Sequence, residues 1–333
     1  MSKIFNWGII GLGKIAESFA DDLKLLPEAR LFAVASRSQQ KAELFAKKFN
    51  AVRAYGCYED IVKNKDLDII YIATPHSLHC ENTIMCLNNK IAVLCEKPLA
   101  INSTEVKRMI SCSEENNTFL MEALWTRFLP SVEKVLELLE KNVIGNIQLL
   151  RADFGFKAPK DKNNRLFNIN LGGGSLLDVG IYPVFLSLLI MGMPSIIEAT
   201  ATIGPTEVDE SCGITLKNNN GQIASLFSSI VARTGIEAEI IGDNGRILLH
   251  SEFYRPTILS VIRQDGSIET IEPHYTGKGF TYEAAEVMHC LKKGSIESKK
   301  MSHDLSLQLI EVLDKIRQKS GIYYPNHDNL KPA

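Results

Sequence analysis

Phe5-Asn6-Trp7-Gly8-Ile9-Ile10-Gly11-Leu12-Gly13-Lys14-Ile15-Ala16 joins an apolar run to a glycine turn and then to a helical pattern. A buried parallel strand ending in such a turn at a helix N-terminus is a ready site for a pyrophosphate. In that reading Gly11 makes the turn and Gly13 lets the backbone approach the phosphates, while Ala16 is small enough for the helix to pack on the strand. Lys14 and Ile15 open the helix and join the two glycines as candidate dinucleotide contacts. The competing reading is an ordinary strand-to-helix loop. Placement in a βαβ unit near the N-terminus favours the phosphate site.

Outward from this stretch, residues 4 to 122 alternate strand and helix with short turns. Strands are expected at Ile4–Ile10, Leu31–Ala35, Ile69–Ala73, Ala92–Cys95 and Phe119–Met121, each an aliphatic run without polar alternation. Helical patterns fill the gaps at Ile15–Leu25, Gln39–Phe49, Leu78–Asn88 and Ser103–Glu115. This is the rhythm of a doubly wound parallel sheet, a Rossmann-type α/β domain over residues 1–123.

After Pro130 the rhythm changes. A helix at Ser131–Lys141 precedes a long strand at Ile147–Phe156, a polar loop with Lys157, Lys160, Lys162 and Arg165, and the triplet Gly172-Gly173-Gly174. An apolar helix follows. Strands then run from Ile196 to about Pro273, broken by Asn218-Asn219-Asn220-Gly221, Asp243-Asn244-Gly245 and Asp265-Gly266, which are hairpin signals. Helices at Tyr282–Lys292 and Leu305–Lys319 close the chain. Residues 124–333 are thus expected to form an α+β domain with a large, mostly antiparallel sheet built as one run of meanders. One face of that sheet can take the apolar helix. The other would expose Ile223, Leu226, Ile240 and Leu248, which suggests a homodimer through the open face unless the last helices cover it.

At 333 residues the chain is long enough for two domains, and 45% hydrophobic with 23% charged residues is ordinary for a globular protein. A net charge of −2 gives no basic surplus for nucleic acid. Seven scattered cysteines without a Cys-x-x-Cys pair read as reduced thiols, and the N-terminus lacks a signal-peptide pattern, so a cytoplasmic protein is expected. Leu176–Met193 is strongly apolar but contains Asp178, Gly180 and Pro183, which favours a buried helix over a membrane span. The seven histidines show no metal-ligand spacing, and no metal is expected.

The end of the second strand discriminates between dinucleotides. Asp or Glu there would bind the ribose diol of NAD, whereas a 2′-phosphate wants hydroxyls and a guanidinium. The chain reads Ala35-Ser36-Arg37-Ser38. That favours NADP(H), with Lys41 one turn on adding charge, and leaves NAD(H) open; a solvated arginine beside a helix cap is the alternative.

Cys95-Glu96-Lys97-Pro98-Leu99 follows the strand Ala92–Cys95, where ligands of open α/β sheets bind. Lys97 there could move a proton at a substrate hydroxyl, although a lysine before a proline is by itself an ordinary loop residue. Asp178 and Tyr182 are four apart, so a helix would put both on one face. Two polar groups on an apolar helix either face a polar site or satisfy each other.

In order, Gly11-x-Gly-x-x-Ala16, Ala73-Thr74-Pro75-His76-x-x-His79, Glu96-Lys97-Pro98 and Gly172-Gly173-Gly174-x-x-x-Asp178-x-Gly180-x-Tyr182 resemble the glucose-fructose oxidoreductase / inositol dehydrogenase (Gfo/Idh/MocA) family over nearly the whole chain. Met121-Glu122-Ala123-Leu124-Trp125-Thr126-Arg127-Phe128-Leu129-Pro130, and Tyr182 where most of the family carries His, resemble the subgroup that includes dimeric dihydrodiol dehydrogenases. The resemblance implies an NAD(P)-dependent oxidoreductase acting on a sugar, polyol or dihydrodiol, dimeric through the open sheet, with a lysine–proline bond that is often cis. It also implies that Lys97 and Tyr182 bracket the substrate hydroxyl and that Asp178 orients them. Trp125 and Arg127 resemble cofactor contacts, Thr74, Pro75 and His79 would line the nicotinamide half, and Glu96 is a further candidate cofactor contact. Some relatives on this fold are non-catalytic dinucleotide sensors; retention of both Lys97 and Tyr182 argues for an enzyme.

Overall fold

The computed structural model describes residues 3–162 and 164–328; Met1, Ser2, Asn163 in the polar loop and residues 329–333 lie outside the described residues. The first elements are β1 (Phe5–Ile10), α1 (Lys14–Leu23), β2 (Ala29–Ala35), α2 (Gln39–Phe49), β3 (Arg53–Tyr55), α3 (Tyr58–Ile61), β4 (Ile69–Ile72), α4 (His79–Asn88), β5 (Ala92–Glu96), α5 (Ser103–Asn116) and β6 (Leu120–Ala123). Then come α6 (Pro130–Glu140), β7 (Ile147–Gly155), a π-helical turn at Leu176–Gly180 and α7 (Ile181–Met191). Seven strands follow: β8 (Ile196–Ile203), β9 (Asp209–Lys217), β10 (Ile223–Ser229), β11 (Ala238–Gly242), β12 (Gly245–Leu249), β13 (Leu259–Arg263) and β14 (Ile268–Ile271). The helices α8 (Phe280–Lys292) and α9 (His303–Ser320) come last.

These elements form two compact units. One is the chain up to Trp125 with Thr276–Leu307; the other is Thr126–Tyr275 with the chain from Gln308 onward. The sequence division placed everything from residue 124 onward in the second domain. In the structure α8 packs on α1 of the first unit. Asp22, buried at the end of α1, accepts from the backbone N–H groups of Lys278 and Phe280 and so caps the approach to α8.

The first unit is a parallel sheet in the order β3-β2-β1-β4-β5-β6. β1, β4 and β5 are buried almost throughout, as strands covered on both faces must be. Helix ends follow local chemistry: Ser38 accepts from Lys41 N to start α2, and Asn102 accepts from Glu105 N to start α5. Phe19 on α1 stacks on Tyr71 of β4 at 3.8 Å and meets Trp7 of β1 at 5.5 Å. That aromatic contact fixes the helix over the strands that flank the glycine turn.

The second unit holds an eight-stranded sheet in the order β14-β13-β12-β11-β7-β10-β9-β8. The three Asn-Gly and Asp-Gly signals join β9 to β10, β11 to β12 and β13 to β14. The sheet is not one run of meanders, because β7 inserts between β10 and β11 and runs parallel to β10. The π-helical turn and α7 lie against β7 and β10. The stretch Ile169–Met191 is long and apolar enough to cross a membrane, and 89% of its 18-residue apolar window is buried inside the fold.

Register assigns the faces and corrects the sequence expectation. Leu226 and Ile240 belong to the covered face, at 2% and 0% exposure. Ile223 and Leu248 lie on the other face, together with Leu149 and Phe227. Leu149, Ile223 and Phe227 are exposed. Glu239 anchors that face between two arginines, at 2.5 Å from Arg151 and 2.6 Å from Arg246.

Candidate active site

In the first unit the site residues gather at the carboxyl ends of β1, β2, β4 and β5, the ligand side of a doubly wound sheet. Strand order reverses at β1, which has β2 on one side and β4 on the other. Gly11 has φ +90°, and a Cβ there would lie 2.6 Å from the backbone of Ala73 at the end of β4. No other residue fits that approach. Gly13 is different: it caps α1 in extended conformation without a side-chain bond, and a Cβ on it would meet nothing within 4 Å. The space above the first helical N–H groups of Lys14 and Ile15 is therefore open, as a bound pyrophosphate requires. The cradle fits a dinucleotide.

At the end of β2, Ser36 is buried and its hydroxyl accepts from Ser38 N, while Arg37 and Lys41 are exposed. Ser38 serves as the helix cap beside the exposed Arg37, an arrangement that the alternative of a solvated arginine also describes. The Arg37 guanidinium lies near enough to Tyr58 to favour the ionised phenol, although burial pushes that phenol up more strongly.

At the ends of β4 and β5 the backbone is braced by buried side chains. Thr74 Oγ1 accepts from Asn82, and His79 is fully buried with Nε2 2.9 Å from Thr74 O and Nδ1 2.8 Å from Pro98 O. Burial pulls the imidazole down, against the two carbonyls that favour its charged form. His79 thus shapes the site through the backbones of Thr74 and Pro98. Lys97–Pro98 is a cis peptide. Leu99 N donates to Glu122 Oε1 at 2.9 Å, and Tyr71 donates its hydroxyl proton to Glu96. Burial pushes Glu122 up to about 7. It also holds Glu283 well above the ordinary carboxyl range, with Glu96 and Asp22 adding like charge. Trp125 stacks on Phe280 at 4.4 Å.

The second unit holds Arg127, Asp178 and Tyr182. Arg127 pairs with Glu133 at 3.1 Å. Asp178 sits in the π-helical turn and Tyr182 in α7, so the four-residue spacing spans a widened turn rather than one regular helical face. Arg165 from the polar loop reaches Asp178 with two N–H groups, at 2.9 and 3.4 Å. The loop is seated on an apolar cluster of Leu166, Phe167, Val208 and Ile230. Tyr182 is buried beside Phe154 and Tyr254, with ring centroids 5.6 and 5.2 Å away, and Phe154 stacks on Tyr254 at 4.2 Å. Thr126 donates to the carbonyl of Tyr254 at 2.6 Å.

Several of these groups were not singled out from sequence. Arg165, Phe154 and Tyr254 depend on tertiary contacts. Glu122 carried a readable signal, a lone carboxylate inside the short apolar strand β6.

Such a fold, a phosphate cradle and a lysine at the strand ends define a dinucleotide-binding oxidoreductase. Residues 5–124 match the oxidoreductase family with the NAD-binding Rossmann fold, GFO/IDH/MocA, and residues 132–248 match the GFO/IDH/MocA C-terminal domain. The chain belongs to this family. It is similar to trans-1,2-dihydrobenzene-1,2-diol dehydrogenase of Danio rerio, 37% identical over 96% of this chain and 98% of that protein. The protein of that name from Homo sapiens is 32% identical with the same coverage. Among solved structures, an aldose-aldose oxidoreductase from Caulobacter crescentus has a TM-score of 0.88 at 22% identity, covering 96% of this chain and 98% of that one. A 3-ketoreductase from Actinomadura kijaniata, solved with NADP, has a TM-score of 0.86 at 24% identity with equal coverage.

Two outcomes test the cradle and its bracing. Gly11→Ala should lower thermal stability, whereas Gly13→Ala should leave the melting temperature nearly unchanged and weaken dinucleotide affinity by about tenfold or more in a fluorescence titration. Equal effects of the two on stability would contradict the open space above α1. Glu122 titrates with a raised value, so the stability it contributes is fully present below its ordinary 4.5 and is lost as pH rises through about 7. Glu122→Gln should therefore show a smaller fall in melting temperature over that range than the parent chain.

Proposed function

We propose that the chain is an NADP(H)-dependent dehydrogenase of a CH–OH group in a sugar, cyclic polyol or dihydrodiol. The observation that carries this reading is Lys97, held at the carboxyl end of β5 in the sheet whose β1 end forms the open phosphate cradle. When bound, the nicotinamide supplies the hydride donor or acceptor. The protein's part is the proton. Lys97 or Tyr182 takes the proton of the substrate hydroxyl when that carbon is oxidised, and returns it in the reverse direction. Asp178, fixed by Arg165, orients the tyrosine end. Ser36 and Arg37, with no carboxylate at the end of β2, support a 2′-phosphate over a free ribose diol.

Phe154 and Tyr254 give the tyrosine an aromatic surround. Such a surface suits the C–H face of a sugar ring or the planar ring of a dihydrodiol. The names of the relatives in Danio rerio and Homo sapiens point to the dihydrodiol end of this range. Exposed Leu149, Ile223 and Phe227 on neighbouring strands support pairing of the open sheet face with a second copy. Seven free thiols, six of them buried, suit a reducing compartment such as the cytoplasm.

Turnover of a panel of sugars, polyols and dihydrodiols, read by NADPH absorbance, tests the reading directly. Binding of NADPH with no oxidation or reduction of any of them would favour a dinucleotide sensor. Lys97→Ala and Tyr182→Phe should each lower turnover by roughly two or more orders of magnitude. NADPH affinity should change little in Tyr182→Phe, and near-normal turnover in both variants would sink the assignment. For the cofactor, Arg37→Ala should reduce kcat/KM with NADPH by about tenfold or more and leave that with NADH unchanged. An equal loss with both would remove the phosphate contact.

A further inference from the structure

The function proposed above gives no role to Gly172-Gly173-Gly174, yet the packing around this triplet is exacting. Gly174 has φ +120°, and a Cβ there would fall 2.0 Å from Asp209 Oδ1. Asp209 opens β9 and is wholly buried. Its Oδ2 accepts from Leu176 N at 2.7 Å and from Ser175 Oγ at 2.8 Å, while Ser175 Oγ lies 2.9 Å from Ser228 Oγ on β10. Leu176 is the first residue of the π-helical turn that leads through Asp178 to Tyr182. The carboxylate therefore caps the start of the helix, where negative charge is favoured.

The same loop is held from a second side by the end of the chain. Tyr324 is buried and donates its hydroxyl proton to Gly173 O at 2.8 Å. Tyr324 is itself fixed, because its N–H donates to Asp328 Oδ2 and Asp328 forms two 2.9 Å bonds with the buried Arg317. The Arg317 guanidinium also lies over the Tyr324 ring at 5.2 Å.

We propose that Asp209 and Tyr324 are positioning residues for Tyr182: together they set where its helix begins, Asp209 by capping Leu176 and Tyr324 by holding the carbonyl of Gly173. This rests on the assignment of Tyr182 as a proton carrier. Among the described residues the buried Asp209 Oδ1 has no hydrogen-bond partner, a cost that a merely well-packed core would shed. Burial raises the carboxyl to about 6, against the Leu176 N–H and Ser175 hydroxyl that favour the ion. The titratable neighbours are Tyr324 and, on the same strand, Cys212; Arg317, Asp328 and Asp178 act on Tyr324 in turn. The capping form is the ionised one. Turnover that depends on the cap is therefore present above about 6 and falls as pH drops through it.

The test combines pH profiles with amide exchange on the full-length chain. Asp209→Asn should lower kcat about tenfold and abolish the acid limb near pH 6, with NADPH affinity held within about twofold. Ser175→Ala should keep the acid limb, since the carboxylate remains. Tyr324→Phe should lower kcat about threefold or more without moving the limb. Hydrogen exchange at Leu176 should speed up in Asp209→Asn and Tyr324→Phe, and in the parent chain as pH falls below about 6 after correction for intrinsic rates. Parent-like kcat and exchange in Asp209→Asn, or a parent profile flat down to about pH 5, would overturn the proposal. If Asp209→Asn does not fold, exchange and kcat in Ser175→Ala and Tyr324→Phe decide it. Were the parent chain to turn over no substrate, the dehydrogenase reading would fail while the exchange arm still judged the cap.

Discussion

Contact between Gly11 and the backbone of Ala73 is the constraint on which the first unit depends. Only a residue without a side chain permits that approach at φ +90°. With the ends of β1 and β4 locked at that distance, the chain leaves the sheet through Gly13 into the N-terminus of α1. The other candidate residues then fall on the same edge because all six strands are parallel. Ser36 follows β2, Thr74 follows β4 and Lys97 follows β5, so one close contact and one strand direction collect residues that range in sequence from Gly11 to Lys97.

This half was readable in advance for a physical reason. Strands covered on both faces must be apolar throughout, and their helices start at Ser38 and Asn102, whose side chains bind the first free N–H groups. β3 escaped notice because Arg53-Ala54-Tyr55 is short, half-exposed and lies at the edge of the sheet. Across the second sheet the turns were legible and the order was not. Asn-Gly and Asp-Gly signals report local hairpins, whereas the pairing of β7 with β10 joins distant segments and leaves no local mark. The face assignment failed at Leu226 and Ile240 for a different reason. Ile223 and Leu226 are three apart on one strand, so alternation puts them on opposite faces, and register sets Leu226 and Ile240 together on the covered one.

The chemical residues divide in the same way. Glu96-Lys97-Pro98 and Asp178 with Tyr182 stand out because polar groups sit where an apolar element is expected. Their partners do not. Arg165 looks like one of four loop cations until the fold brings it to Asp178. Phe154 reads as a core residue of β7 until Tyr182 and Tyr254 are found beside it. The regular helix assumed for Asp178 and Tyr182 also gave way to a π-helical turn, a feature that needs the surrounding packing to persist.

Buried acidity near the lysine sharpens the distinction between a scaffold and a site. Asp22, Glu96, Glu122 and Glu283 are all buried in the first unit, and the two with raised carboxyls owe it chiefly to desolvation. Asp22 and Glu122 each repay part of that cost by holding backbone N–H groups, at the start of α8 and after the cis Lys97–Pro98 bond. Glu96 takes the hydroxyl of Tyr71, while neither oxygen of Glu283 has a hydrogen-bond partner among the described residues. A core selected for stability alone would replace such a carboxyl with an apolar side chain of similar size. Burial next to Glu96 and Asp22 favours the protonated form of the Glu283 carboxyl, with desolvation the larger cause and the neighbouring like charges adding to it.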